Sequence, residues 1–235
     1  MEVSKKVQFI SNWIKNYVQT MPNKAESLVV GISGGIDSSV SSTLSAMTGL
    51  RTIVLSMPIK QKNTQHDLSL KHQEWLLKNF KNVETHTVNL DKLFETFNNS
   101  LSKFDSDHGM ANSRARLRMT TLYQVAAASK GIVVGTGNKV EDFGVGFYTK
   151  YGDGGVDISP IADCNKTEVW EMGKELNILK EIIDATPTDG LWDDGRTDEG
   201  QLGLKYSELE EAMNNPNSSN REKYEKIRKL NLHKM

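Results

Sequence analysis

The stretch from Leu28 to Ser39, LVVGISGGIDSS, constrains the fold of this 235-residue chain more than any other segment. Its apolar first half is short and ends at paired glycines, a pattern typical of a strand covered on both faces of a sheet. Gly34 and Gly35 permit a tight turn and the close approach of a ligand to the main chain. A helix beginning near Asp37 would present unpaired N–H groups and the positive end of its dipole to that turn. Such an arrangement typically binds an anion, most often phosphate.

An ordinary strand-to-helix turn without a ligand is the simpler alternative, because glycine turns are common. The string lacks the lysine of G-x-x-x-x-G-K-[ST] and the spacing of G-x-G-x-x-G, which argues against a Walker loop and a dinucleotide fingerprint. Residues Ser33 to Ser38 instead resemble the S-G-G-x-D-S loop of the N-type ATP pyrophosphatases. That resemblance implies a loop that binds the pyrophosphate released when ATP adenylates a substrate.

The composition is that of a soluble globular protein. Hydrophobic residues make up 37% and charged residues 25%, and the net charge of −1 argues against a general nucleic-acid surface. No apolar run approaches the roughly 20 residues that span a bilayer, and the amphipathic N-terminus lacks the features of a signal peptide. We therefore expect a cytoplasmic protein that binds neither membrane nor nucleic acid. The single cysteine, Cys164, excludes an internal disulfide and a multi-cysteine metal site.

Apolar strand patterns alternate with helical patterns through the first 140 residues. Strands are predicted at 28–32, 51–57, 83–88 and 131–138, and helices at 3–20, 37–47, 67–80, 90–101 and 114–130. The alternation predicts an α/β fold, a three-layer, doubly wound parallel sheet with helices on both faces. Ligands of such sheets bind at the carboxyl ends of the strands, so the turns after Ile32, Met57 and Gly135 should meet there. No linker divides the chain, and we expect a single domain, 1–235.

Three segments are predicted to be irregular: 104–112, 139–160 and 186–201. The last of these is a long polar stretch, which we predict to be a mobile lid, including its residues 189–201. The capping boxes Ser207–Glu210 and Ser219–Glu222 predict two C-terminal helices.

Several later motifs make the chain resemble the ammonia-dependent NAD synthetases over nearly its whole length. With GISGGIDSS, they are NSRARLRM, IVVGTGNKVE, FYTKYGDGGVDISP, Lys166, ATPTDGLW and His233-Lys234. The glycine loop alone would leave GMP synthetases, asparagine synthetases and tRNA-thiolating enzymes open, whereas FYTKYGDGGVD selects NAD synthetase. The resemblance implies an adenine nucleotide alpha-hydrolase-like fold.

The resemblance also implies an activity. Members of the family amidate deamido-NAD with ammonia and ATP, giving NAD, AMP and pyrophosphate through an adenylated carboxylate, and Mg²⁺ assists. This is the last step of NAD biosynthesis. Two alternatives stay open, another adenylating ligase such as a GMP synthetase domain and a nucleotide-binding module without turnover.

Candidate site residues follow from the same resemblance. Those expected to bind ATP are Gly31, Ile32, Ser33, Gly34, Gly35, Ile36, Asp37, Ser38, Thr136, Lys166 and Thr188. Those expected to bind deamido-NAD are Arg116, Lys150, Asp157, His233 and Lys234. Asp37 and Glu141 are the expected Mg²⁺ ligands, since Mg²⁺ prefers hard oxygen ligands. Asp153 and Lys166 are the candidate catalytic residues; Asp153 is chosen for its place in the glycine turn rather than from the resemblance, as the base that accepts a proton from ammonia.

The resemblance further implies a homodimer that binds deamido-NAD at the subunit interface, where the helix at 114–130 could serve either as interface or as plain core. Glutamine-dependent relatives carry an additional domain with a catalytic cysteine, so with Cys164 as the sole thiol we expect free ammonia as the nitrogen donor. Some relatives have an arginine near the adenine in the second strand, where this chain reads Leu55-Ser56-Met57-Pro58, so the adenine contacts are not assigned. Family members usually continue past His233-Lys234, and a segment beyond Met235 is expected.

Overall fold

A parallel sheet lies at the centre of the computed structural model, which describes residues 1–60, 63–188, 190–192 and 196–235. Its strands, within those ranges, are β1 Ser27–Ile32, β2 Thr52–Ser56, β3 Val83–Thr87 and β4 Gly131–Val134, in the order β3-β2-β1-β4. Val30 of β1 is aligned with Val54 of β2 and Val134 of β4. The three strands therefore end close together at their carboxyl ends.

Helices precede, separate and follow these strands. In chain order they are α1 Val3–Thr20, α2 Ile36–Met47, α3 Asn63–Asn79, α4 Asp91–Ser100, α5 Asp107–Ala128, α6 Lys166–Glu175, α7 Lys180–Ile183, α8 Asp198–Leu202, α9 Tyr206–Asn214 and α10 Arg221–Asn231. A π-helix spans Lys139–Val145, and 3₁₀ turns span Ser102–Phe104 and Leu232–Lys234. Within the described ranges, no helix has both the length and the apolar character needed to cross a membrane.

Alternate residues of β1 pack on opposite faces of the sheet, as the pleat of a strand requires. Leu28 and Val30 belong to a core shared with α1, α2 and α6, whereas Val29 packs with residues of α4 and α5. The predicted fold class, a parallel sheet with helices on both faces, is therefore confirmed.

A third core joins the π-helix to the C-terminal helices. Val140 and Val145 of the π-helix pack with Leu202, Leu209 and Tyr224, which come from α8, α9 and α10. This packing anchors the segment that follows β4 and holds it beside the carboxyl ends of the strands.

All three predicted irregular segments contain helical residues, and the segment 139–160 begins with the π-helix Lys139–Val145. Helix α5 begins at Asp107, inside the predicted loop, because the Ser106 hydroxyl caps it by accepting the Gly109 N–H at 3.1 Å. The polar segment 186–201 ends in α8, whose first turn is capped in the same way by Thr197. Residues 189 and 193–195, which the lid prediction includes, lie outside the described residues, so the lid stays a prediction.

Both predicted capping boxes are wrong about the capping residue. Helix α9 is capped at Lys205, whose N–H donates to Glu208 at 2.7 Å, and α10 is capped at Asn220. Glu210, assigned to the first box, instead accepts the Thr167 N–H at 2.9 Å. A hydrogen bond between α9 and α6 therefore replaces the predicted capping contact between Glu210 and Ser207.

Candidate active site

The glycine loop after β1 is braced by its own hydroxyl groups. Gly34 has a φ of +92°, a conformation that favours glycine, and α2 begins two residues later at Ile36. The Ser33 N–H donates to Ser38 Oγ at 3.2 Å, and the Gly35 N–H donates to Ser33 Oγ at 3.2 Å. The sequence therefore folds locally into a fixed turn that presents the N-terminus of α2, which suits an anion.

This loop lines a cavity of about 270 Å³ at the carboxyl ends of the strands. Other walls come from residues 134–137 at the end of β4, from 152, 153, 155 and 156 in the glycine-rich segment 139–160, and from 185–188 with 190–191 before α8. Segments widely separated along the chain thus meet at the edge of the sheet where ligands of such folds bind.

An ion triad of Lys166, Asp37 and Glu141 lines the cavity. Lys166, the first residue of α6, has 2% of its side chain exposed, and its Nζ lies 2.5 Å from Asp37 Oδ2 and 2.9 Å from Glu141 Oε1. Helix α6 comes close to α2 at Gly173, where a Cβ would lie 2.6 Å from Ile36 Cδ1. The missing side chain at Gly173 therefore permits the helix packing that brings Lys166 beside Asp37.

Asn138 positions both carboxylates, and sequence reasoning missed it. Its buried side chain donates through Nδ2 to Asp37 Oδ1 at 3.1 Å, and its Oδ1 accepts the N–H groups of Val140 and Glu141 at 3.0 and 3.1 Å. An asparagine just after the glycine-threonine turn that ends β4 was the available signal, because such a residue is a typical helix cap.

The charges of the triad act strongly on one another. Burial alone would lower the pKa of the Lys166 ammonium, but the attraction of Asp37 and Glu141 raises it above its ordinary value. Burial raises the pKa of Asp37, an effect that Lys166 opposes and Glu141 reinforces. For Glu141, burial acts in the same direction, yet Lys166 and the hydrogen bond from Tyr206 outweigh it and lower the pKa.

The donor set of the triad fits Mg²⁺. The site holds two carboxyl groups and one ammonium, so it has more acidic than basic groups and can accept an additional cation. Mg²⁺ usually takes one or two protein carboxylates and completes its shell with water and substrate phosphates. Among the residues that the structure describes, no group of three or more His, Cys, Asp or Glu side chains could hold a metal by itself. Asp37 and Glu141 are therefore suited to a cation shared with phosphate.

Asp153 and Asp142, two of the other carboxyl groups that line the cavity, have raised pKa values. Asp153 lies in the tight turn after Thr149, whose N–H donates to its Oδ1 at 2.9 Å. Asp153 is exposed to the cavity, yet the surrounding protein removes enough water from its carboxyl to raise the pKa to about 6. Burial raises the pKa of Asp142 to about 8. Sequence reasoning missed Asp142, whose carboxyl occupies the space beside Gly137.

The sequence model of the family described as NAD synthase matches residues 6–235. The chain belongs to the NAD synthase family. An NH₃-dependent NAD⁺ synthetase from Carboxydothermus hydrogenoformans is 35% identical over 218 residues, which cover 88% of this chain and 84% of that protein. The family predicted from the sequence is therefore confirmed.

Two solved structures extend the comparison of this NAD synthase family member. An NMN synthetase from Francisella tularensis matches with a TM-score of 0.91 and 33% identity, over 100% of this chain and 96% of that chain. An NH₃-dependent NAD synthetase from Campylobacter jejuni, in complex with the nitrate ion, matches with a TM-score of 0.79 and 23% identity, over 100% and 96% of the two chains. The second likeness supports the fold alone.

The residues predicted from the sequence to serve ATP binding, metal binding and catalysis all line the cavity. They are Gly31, Ile32, Ser33, Gly34, Gly35, Ile36, Asp37, Ser38, Thr136, Glu141, Asp153, Lys166 and Thr188. Their convergence follows from the parallel topology, which brings the ends of β1 and β4 together and places α6 beside them.

Three of the residues assigned to deamido-NAD form a chain of contacts outside the cavity lining. Arg116 donates through Nε to the Lys150 carbonyl at 3.2 Å, and Lys150 donates through Nζ to the His233 carbonyl at 2.8 Å. The next residue, Lys234, donates to the Gly146 carbonyl at 2.8 Å, and burial lowers its pKa. The structure thus joins α5, the glycine-rich segment and the C-terminus into one basic strip.

Asp157, the fifth residue assigned to deamido-NAD, makes different contacts. Its Oδ2 accepts the Val133 N–H at 2.7 Å, on the outer edge of β4, and its Oδ1 accepts the Tyr123 hydroxyl at 3.1 Å. Both oxygens therefore contribute to the packing of β4 and α5.

An arginine of another element lies at the end of β2, the region where the sequence left the adenine contacts unassigned. Arg118 of α5 lines the cavity and donates through Nε to the Met57 carbonyl at 3.0 Å. The apolar side chains of Met57 and Leu122 lie beside Gly31 in the same part of the cavity. Sequence reasoning missed Arg118 because only the fold brings α5 over the end of β2.

Proposed function

We propose that this chain is a ligase that forms the amide of NAD from deamido-NAD and ammonia, converting ATP to AMP and pyrophosphate. The observation that carries the proposal is one cavity in which the loop at 33–38, the Lys166 triad and Asp153 converge. Because both halves of the chain contribute to this cavity, we also propose that residues 1–235 act as a single domain.

The first half of the reaction activates a carboxylate. A carboxylate is a poor acyl donor because its leaving group would be oxide. Attack of the nicotinate oxygen on the α-phosphorus of ATP expels pyrophosphate and leaves an acyl adenylate, whose leaving group is AMP. As negative charge develops on the departing phosphates, the N-terminus of α2, the Ser33 and Ser38 hydroxyls and the Lys166 ammonium would stabilise it.

Asp37 and Glu141 would hold Mg²⁺ in this reaction, and Asn138 fixes their relative orientation. When bound, the metal would neutralise phosphate charge and polarise the α-phosphate of the transferred adenylyl group. Lys166, already beside both carboxylates, is placed to turn from them to the phosphates of ATP. Thr136 and Thr188, which both line the cavity, would contact the nucleotide, and Arg118, which lines it at the end of β2, would lie beside the base.

The second half of the reaction requires a base. Ammonia attacks the carbonyl carbon of the adenylate and forms the C–N bond, and the nitrogen then loses a proton as AMP leaves. Asp153 faces the cavity and, with a pKa of about 6, is mostly ionised at neutral pH, so it can accept that proton.

The dinucleotide would lie along the basic strip. Arg116 and Lys150 supply donors that suit its pyrophosphate, while His233 and Lys234 come from the end of the chain. Because much of this strip is exposed, we propose that a second copy of the chain covers the bound substrate in a homodimer. Light scattering at micromolar concentration tests this, and a fully active monomer would contradict it.

One assay separates the proposed activity from its alternatives. The protein is incubated with ATP, Mg²⁺, ammonium and deamido-NAD, and AMP and NAD are quantified by chromatography. Equal amounts of AMP and NAD are expected. ATP cleavage with xanthosine monophosphate but not with deamido-NAD would favour a GMP synthetase, and tight ATP binding without products would favour a binding module.

A second candidate substrate, nicotinate mononucleotide, is favoured by one comparison. The solved structure with a TM-score of 0.91 is named an NMN synthetase, and it is more similar in sequence than the structure of the Campylobacter NAD synthetase. The same chemistry would apply, because both substrates carry the nicotinate carboxylate. Measuring kcat/KM with both substrates decides between them, and a higher value for the mononucleotide would replace deamido-NAD in our proposal.

A further inference from the structure

Tyr206 joins the C-terminal helices directly to the carboxylates of the cavity. It is the first residue of α9, and 1% of its surface is exposed. Its hydroxyl donates to Glu141 Oε1 at 2.6 Å, and Asp198 Oδ2 lies 3.2 Å from the same hydroxyl oxygen. Because a hydroxyl group has one proton, the shorter contact identifies Glu141 as the principal acceptor.

The position of Tyr206 is fixed at its backbone and at its ring. Its N–H donates to Glu199 Oε1 at 3.0 Å. The ring packs edge-to-face with Trp170, with centroids 5.8 Å apart, and Lys166 Nζ lies 4.8 Å from the ring centroid. A side chain held in this way has little freedom, so its hydroxyl defines where Glu141 Oε1 must lie.

Lys166 cannot hold Glu141 Oε1 in place throughout the reaction. It also donates to Glu141 Oε1, but in the proposed function it turns toward the phosphates of ATP. The Tyr206 hydroxyl, which has no such second task, would then remain on Glu141. Groups that hydrogen-bond to metal-ligating carboxylates orient them and tune metal affinity.

We propose that Tyr206 is a positioning residue that orients Glu141 for a divalent cation while Lys166 binds ATP. The inference rests on the proposed function, because it takes Asp37 and Glu141 as the cation ligands. Tyr206 lies outside the cavity lining, so the proposal gives a residue of the C-terminal helix α9 a part in cation binding.

The test uses Tyr206→Phe, which keeps the ring and removes only the hydroxyl group. Binding of Mn²⁺ is followed by the electron paramagnetic resonance of free Mn²⁺, with ATP present and without deamido-NAD or ammonium. The dissociation constant of Mn²⁺ should rise about tenfold or more. ATP binding without metal should change less than about twofold, because a group that orients a metal ligand acts mainly on metal affinity. Tyr224→Phe is the matched control, because Tyr224 is also buried and lies under a cationic side chain, Arg221.

A double-mutant cycle shows whether Tyr206 acts through Glu141. Glu141→Gln should weaken Mn²⁺ binding, and Tyr206→Phe should then add no further loss. Three results would overturn the proposal. They are wild-type Mn²⁺ affinity in Tyr206→Phe, an additive loss of Mn²⁺ affinity in the double variant, and loss of cooperative unfolding in Tyr206→Phe. Wild-type affinity in Glu141→Gln would instead show that the metal assignment itself is wrong, and the inference would fail with it.

Discussion

Replacing Lys166 with methionine should destabilise the protein even when no substrate is present. The ammonium lies 2.5 Å from Asp37 and 2.9 Å from Glu141, so each attraction amounts to about 6 kcal/mol at an effective dielectric constant of about 20. The desolvation of three charged groups offsets most of this attraction. Methionine would retain the apolar packing but leave two neighbouring carboxylates without their cation.

The expected loss in the free energy of unfolding is about 3 kcal/mol, because breaking a buried ion pair typically costs about 3–5 kcal/mol. We take the lower end since the Asp37 and Glu141 side chains retain 17% and 16% exposure. Urea unfolding at neutral pH measures the loss. Lys130→Met is the control, because Lys130 pairs with Glu26 at the surface and its loss should change stability far less than the loss of Lys166.

Repeating the urea unfolding with added Mg²⁺ provides a second test of the triad. If the carboxylates accept the cation, Mg²⁺ should raise the unfolding free energy of Lys166→Met more than that of the wild-type protein. Equal stability of Lys166→Met and Lys130→Met, with no difference in their response to Mg²⁺, would refute the reasoning about the triad.

Three other variants test separate parts of the structure. Burial lowers the pKa of His72 to about 4 from 6.5, so about 3 kcal/mol of stability should be present above pH 6.5 and lost as the pH falls toward 4. His72→Gln should remove that loss in urea titrations, whereas exposed His86→Gln should keep it. Gly137→Ala places a Cβ 2.0 Å from Asp142 Oδ2 and should cost about 1–3 kcal/mol in the same assay, so wild-type stability would count against the contact. With free ammonia held constant, the rate should rise with pH through about 6, and persistence of that rise in Asp153→Asn would exclude Asp153 as the base.

The parallel sheet could be predicted from the sequence because its signals are local. β1, β2 and β4 are short apolar runs that end at a glycine, proline or polar turn, and the four predicted strands correspond to β1 to β4. The glycine loop could also be predicted from the sequence, since the turn, the helix start and the hydroxyl groups lie within one stretch of chain.

Helix boundaries and much of the site could not be predicted, because tertiary contacts decide them. Asp107 begins a helix in a stretch whose composition is typical of a loop, and Glu210 binds Thr167 rather than its own helix N-terminus. Arg118 and Tyr206 reach the site from α5 and α9, so their proximity to Met57 and Glu141 is visible only once the chain is folded.

The most direct test of the adenylated carboxylate is to follow an oxygen atom of the nicotinate carboxylate through the reaction. Deamido-NAD labelled with oxygen-18 in its nicotinate carboxylate is converted with ATP and ammonium, and the AMP and pyrophosphate are examined by mass spectrometry. Because the carboxylate attacks the α-phosphorus and ammonia then displaces AMP, one labelled oxygen should appear in AMP. AMP without the label, or label in pyrophosphate or inorganic phosphate, would contradict an adenylated carboxylate and with it the proposed function.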